Sequence, residues 1–126
     1  MKLVMLAAAG GAIGAAARYL AGIGAARILG FGFPWGTLIV NVAGCLAMGL
    51  LIEVFAQKYS ATNELRTFLA TGILGGFTTF SAFSLDFATL IERKQHIAAF
   101  AYFGTSVGLS IIALFAGLAI VRMVLQ

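Results

Sequence analysis

Four long apolar runs, parted by three short breaks, take up almost the whole chain. The breaks are a Gly-, Pro- and aromatic-bearing loop at residues 30–35 and polar stretches at 58–63 and 93–96. Each run exceeds the roughly 20 residues that a helix needs to cross about 30 Å of hydrocarbon. The pattern predicts transmembrane helices over about 3–29, 35–57, 64–91 and 97–124, in a single domain spanning 1–126. The expected fold is an all-α membrane protein with four transmembrane helices.

The third run differs from the rest. Residues 71–84, Thr-Gly-Ile-Leu-Gly-Gly-Phe-Thr-Thr-Phe-Ser-Ala-Phe-Ser, carry three Gly and five Ser or Thr. Paired Gly75-Gly76 is poor helix interior, each Gly costing roughly 0.5–1 kcal/mol relative to Ala. Thr78-Thr79 favours a cap over continued helix. The stretch predicts a helix that breaks near 75–79 and restarts near Phe80–Ser81. Eleven residues from Glu64 to Leu74 rise about 16 Å, which puts the break near the bilayer midplane. Main-chain groups freed there need protein, ions or water, so such a break usually marks an ion or substrate site. The competing expectation is a Gly-lined packing face whose hydroxyls bond back to their own helix.

Polar positions in the other runs add to this. Gly10 and Gly14 form a G-x-x-x-G pair that permits close helix approach, and Arg18 falls on the same face. Arg18 either snorkels to headgroups or places a positive charge at the mouth of an anion path. Pro34 suits a helix start, and Phe33 and Trp35 suit an interfacial aromatic belt. Thr37, Asn41 and Cys45 share a face of the second run. A membrane-buried amide such as Asn41 either joins helices or donates into a cavity. Thr62 or Asn63 is the expected N-cap of the third span. Past the break Phe80 and Phe83 share a face, with Thr79, Ser81 and Ser84 around them. A Phe ring edge is the positive end of its quadrupole and can face an anion. Tyr102, Ser106 and Ser110 form a polar stripe on the fourth run, with Gly104 and Gly108 as a second G-x-x-x-G nearby.

Composition sharpens the class. Of 126 residues, 62% are hydrophobic and 10% charged, and mean hydropathy is +1.07, which excludes an ordinary soluble domain. Sixteen Gly with one Pro point to close helix packing. The single Cys45 excludes an internal disulfide and a Cys-based metal site, and reads as a small buried hydrophobe. His96, beside Arg93-Lys94, reads as a solvated loop residue. The net charge of +4 comes from residues near helix ends, where they anchor to headgroups, so no nucleic-acid partner is expected. Lys2 with Ala7-Ala8-Ala9 imitates a signal peptide, but the apolar run continues and is expected to stay as the first span.

Lys2, Lys58, Arg66 and Arg122 fall on one side of the bilayer, and Arg27, Arg93 and Lys94 on the other. With so little bias the chain can insert both ways and pair as an antiparallel, isologous homodimer; the alternative is that a contact with the insertion machinery selects one orientation. Its two-fold axis would bring the two breaks together. Carbonyls freed near Gly75 and Thr78 would then cage a hard monovalent cation, Na⁺ or K⁺, because no carboxylate is present.

Three stretches carry a family resemblance: residues 10–19 (Gly-Gly-Ala-Ile-Gly-Ala-Ala-Ala-Arg-Tyr), 36–44 (Gly-Thr-Leu-Ile-Val-Asn-Val-Ala-Gly) and 75–84. Over essentially its whole length the chain resembles the Fluc (CrcB-type) fluoride channels of microbes. The resemblance implies an antiparallel dual-topology homodimer with two fluoride pores and a central structural Na⁺ on main-chain oxygens of Gly75 and Thr78. It implies Phe80 and Phe83 as pore phenylalanines and Asn41 as the pore amide. Thr79, Ser81 and Ser84 would supply hydroxyls, Tyr102, Ser106 and Ser110 a polar track, and Arg18 a vestibule charge. Ala82 stands where many relatives carry Thr, and Asp86 where many carry Glu. The expected function is passive, fluoride-selective export across a bacterial inner membrane, giving fluoride resistance. The alternatives are a small dual-topology multidrug exporter, which needs a membrane carboxylate, and a non-conducting assembly subunit. No Ser/His or paired-carboxylate arrangement suggests an enzyme.

Overall fold

A computed structural model describes residues 1–58 and 60–126. Those residues form helices and connections, with no strand among them. Helix α1 covers Lys2–Leu29 and α2 covers Trp35–Gln57. The third span comprises α3 (Asn63–Arg66), a π-helical segment (Thr67–Leu74), α4 (Gly75–Phe77) and α5 (Phe80–Glu92). Helix α6 covers His96–Leu125. Four spans are long and apolar enough to cross a membrane: Lys2–Leu29, Trp35–Gln57, Asn63–Glu92 and His96–Leu125. The chain is therefore a multi-pass helical membrane protein. Large apolar side chains cover its outside, with Tyr19, Leu20, Ile112 and Phe115 all more than 60% exposed. Lipid, or another apolar surface, is the only solvent that tolerates such a face.

Each connection is set locally. Thr62 caps the third span, its Oγ1 accepting from the Leu65 N–H at 3.1 Å. Gly30 adopts φ +86° at the end of α1, a left-handed backbone that Gly enters without penalty.

Glycine decides how the spans pack. A Cβ on Gly10 would lie 2.5 Å from the Phe68 carbonyl oxygen, and one on Gly76 would lie 2.7 Å from that of Gly11. The α1 backbone therefore rests directly on the π segment and α4. Helices α2 and α6 meet the same way: a Cβ on Gly117 would lie 2.5 Å from the Leu46 carbonyl oxygen. Association inside a bilayer comes from such van der Waals approach rather than from a hydrophobic drive.

Three details could not be read from residue types. Gly75 and Gly76 do not break the helix: both lie within α4, and Gly75 has φ −63°, ψ −36°. The departure is confined to Thr78 (φ −85°, ψ 158°) and Thr79 (φ −153°, ψ 124°), both extended. Here Gly76 serves close packing against Gly11 instead. The stretch before it is π-helical, with the Gly75 N–H reaching back to the Ala70 carbonyl, a widening that no residue type announces. Gly104 and Gly108 meet nothing within 4 Å, so within the chain the close contact on α6 belongs to Gly117.

Candidate functional site

At Thr78–Thr79 the third span leaves the helical region, and both main-chain groups of Thr79 find a partner on another span. Asn41 of α2 binds Thr79 twice. Its Nδ2 donates to the Thr79 carbonyl at 2.9 Å, and its Oδ1 accepts from the Thr79 N–H at 2.7 Å. Only one orientation of the amide satisfies both bonds, and it leaves one Nδ2 proton uncommitted. Arg18 of α1 donates from Nε to the Gly76 carbonyl at 3.1 Å, placing a cation at the carbonyl end of α4, where the local dipole favours it. The side chain is thus turned inward to the span rather than toward the headgroups. Thr79 Oγ1 caps α5 by accepting from the Ala82 N–H at 3.1 Å. Its own proton remains available, with Ser81 Oγ 3.3 Å away. Thr78 Oγ1 bonds back to the Leu74 carbonyl at 3.1 Å. Among the described residues, no hydrogen bond reaches the carbonyls of Gly75 or Thr78.

A pocket of about 250 Å³ opens against this segment. Asn41, Thr78, Thr79, Phe80 and Phe83 line one part, and Ser106 and Ser110 of α6 line another. The two rings sit 5.6 Å apart at 48°. Phe83 is 5% exposed and Phe80 76% exposed, so one ring is fixed in the core and the other projects from the protomer. The Oγ atoms of Ser106 and Ser110 are buried and have no hydrogen-bond partner. An orphaned buried hydroxyl costs about 1–3 kcal/mol, and both of these border the pocket.

A second pocket, of about 510 Å³, lies on the other side of Thr79 and is lined by Arg18, Arg27, Thr37, Thr79 and Ala82 among others. It holds two guanidinium groups and no carboxylate, which makes it electropositive.

The remaining expected site residues divide. Tyr102 does not reach the first pocket. It is fully buried, packs edge-on against Phe33 with centroids 5.5 Å apart, and donates to Asp86 Oδ2 at 3.1 Å. Ser81 and Ser84 are exposed and line neither pocket. Sequence reasoning missed Asp86 as the partner of Tyr102, and missed Cys45 as a wall of the first pocket. The fourfold spacing of Asn41 and Cys45 was the available signal.

The other membrane carboxylate is engaged elsewhere. Glu53 is 6% exposed, accepts from Gln57 Nε2 at 2.8 Å and pairs with Arg122 Nε at 3.3 Å.

These features define a class: a four-span helical membrane protein whose third span, extended at Thr78–Thr79, borders a pocket lined by hydroxyls and aromatic rings. Within that class, the family described as "CrcB-like protein, Camphor Resistance (CrcB)" matches residues 5–118, and the chain belongs to it. It is 59% identical over 125 residues to a protein of Chelativorans sp. (strain BNC1) named "Fluoride-specific ion channel FluC", covering 99% of this chain and 100% of that one. Proteins of the same name in Rhizobium etli and Rhodospirillum centenum are 54% and 52% identical, each over 122 residues. These two alignments cover 97% of this chain and 98% and 97% of the relatives.

Proposed function

We propose that this protein is a fluoride channel that lets F⁻ leave a bacterial cell down its electrochemical gradient. The observation that carries the reading is the pair of unpaired buried hydroxyls, Ser106 and Ser110, facing Asn41, Phe80 and Phe83 across one pocket. The relatives' name agrees with it. Fluoride is small and holds its water tightly. A route across the bilayer must replace that water with donors that are numerous but individually weak, so that the ion can leave again. The second Nδ2 proton of Asn41, the hydroxyls of Ser106, Ser110 and Thr79, and the ring edges of Phe80 and Phe83 fit this requirement. Arg18 and Arg27 in the electropositive pocket would gather anions at the entrance. HF that enters from acid surroundings dissociates inside a neutral cell, so an exit for F⁻ protects it.

The departure at Thr78–Thr79 is read as a mid-membrane break. An antiparallel homodimer, with two pores, accounts for the exposure of Phe80 and for the open face at Gly104 and Gly108. The unpaired carbonyls of Gly75 and Thr78 suit a hard monovalent cation. No group of three or more His, Cys, Asp or Glu suitable for a metal occurs among the described residues, so main-chain oxygens would hold it. Na⁺ bound there would stabilise the paired breaks and raise the local potential for anions.

Proton-coupled export of cationic drugs is disfavoured by the engagement of Glu53 with Arg122 and Gln57, and of Asp86 with Tyr102. The test is fluoride efflux from liposomes, followed by electrode, with chloride as control. Fast fluoride-only efflux, strongly reduced in Phe80→Ile and Asn41→Asp, is expected. No efflux, or equal passage of chloride, would refute the reading.

A further inference from the structure

Cys45 is the one cysteine of the chain. It stands one helical turn beyond Asn41 on α2, and both line the pocket that touches the third span. Across that pocket stand Ser106 and Ser110, also one turn apart. Ser106 is 4% exposed, and both Oγ atoms lack partners. The pocket thus continues past the Asn41 amide, with two hydroxyl donors on the α6 wall and a thiol on the α2 wall. Thiol hydrogen is a weak donor and sulfur a weak acceptor, so this wall neither competes for the hydroxyl protons nor holds an anion strongly.

We propose that Cys45 borders the fluoride route between Asn41 and Ser110, and that its thiol is therefore a site at which a covalent adduct closes the route. This rests on the channel reading above. The probe is benzyl methanethiosulfonate, neutral and bulky. Cys45 sulfur attacks the sulfenyl sulfur, a Cys–S–S–benzyl disulfide forms, methanesulfinate leaves, and the thiol proton passes to buffer.

Two readouts separate the possibilities. Intact mass reports the adduct, and liposome efflux is expressed as a fraction of each sample's own untreated rate. The expected result is one adduct per wild-type chain with at least a tenfold loss of fluoride efflux, reversed by dithiothreitol. Cys45→Ala should take no adduct and keep its own rate through the treatment. A cysteine placed outside the pocket by Met123→Cys in the Cys45→Ala background, at a position 82% exposed, should take the adduct without that loss. Efflux that persists through a complete Cys45 adduct would overturn the proposal. So would a thiol that reacts only after denaturation. Untreated wild type that moves no fluoride would instead defeat the channel reading, and this proposal with it.

Discussion

Replacing Asn41 by Leu removes the amide while keeping similar volume. In the native chain that amide answers both main-chain groups of Thr79, at 2.7 and 2.9 Å. Neither group has a helical partner, because Thr78 and Thr79 are extended. Without the amide, one N–H and one C=O are left unpaired in a half-buried site. At about 1–3 kcal/mol each, the expected loss is roughly 2–6 kcal/mol. An ordinary side-chain hydrogen bond contributes only about 0.5–1.5 kcal/mol. Thermal unfolding in detergent, with Thr89→Ala as reference, should separate the two scales, since Thr89 only bonds back to Leu85 on its own helix at 2.8 Å. Asn41→Asp gives a finer check. A carboxylic acid can restore both bonds and a carboxylate only one, so lowering the pH should raise that variant's melting point relative to wild type. If Asn41→Leu melts with wild type and conducts fluoride at the same rate, the amide does not hold the segment and the reasoning fails.

Arg18→Gln should lower the melting point by an amount equivalent to about 1–3 kcal/mol, through loss of the bond to the Gly76 carbonyl, and should slow fluoride entry at low ionic strength more than at high. Gly76→Ala drives a methyl to 2.7 Å from the Gly11 carbonyl oxygen. That should part α1 from the third span at a cost of about 1–3 kcal/mol, read as a lower melting point, whereas Gly104→Ala meets nothing within the chain. Phe80→Ile should leave the protomer's stability within about 0.5 kcal/mol, because the ring is 76% exposed, yet strongly reduce efflux. Glu53→Gln weakens the pair with Arg122 and should lower the melting point without changing ion selectivity. A change in proton coupling there would instead favour the exporter.

The four spans were legible because their cause is local: continuous apolar runs of membrane length, divided by charged or Pro- and Gly-bearing loops. Asn41, Phe80, Phe83, Ser106 and Ser110 could be singled out for the same reason, as polar or aromatic residues at helical spacing in an apolar run, and one pocket gathers all five. Tyr102 had that spacing as well, but its hydroxyl donates to Asp86, its neighbour on the third span. A stripe on one helix does not say what the facing helix offers.

The position of the departure from helix was harder to read, and the reason is physical. Local propensity pointed to Gly75-Gly76, yet both are helical, and Gly76 serves the close approach of Gly11, which leaves no room for a side chain. The extended pair falls at Thr78–Thr79, where help arrives from two other spans. Arg18 of α1 takes the Gly76 carbonyl, two residues before the pair, and Asn41 of α2 takes both groups of Thr79. Thr78 and Thr79 add local devices, a bond back to the Leu74 carbonyl and a cap on Ala82. The third span therefore opens where α1 and α2 can satisfy it, not where its own residues are weakest. This links two observations that sequence separates. The same Asn41 that holds the extended segment also lines the pocket with Ser106 and Ser110, so distorting the segment should displace donors from the proposed route together with it. A double replacement, Arg18→Gln with Asn41→Leu, should then lower efflux by less than the product of the single effects, because both act on one element. Simple multiplication of the two losses would show that entrance charge and pocket amide act independently.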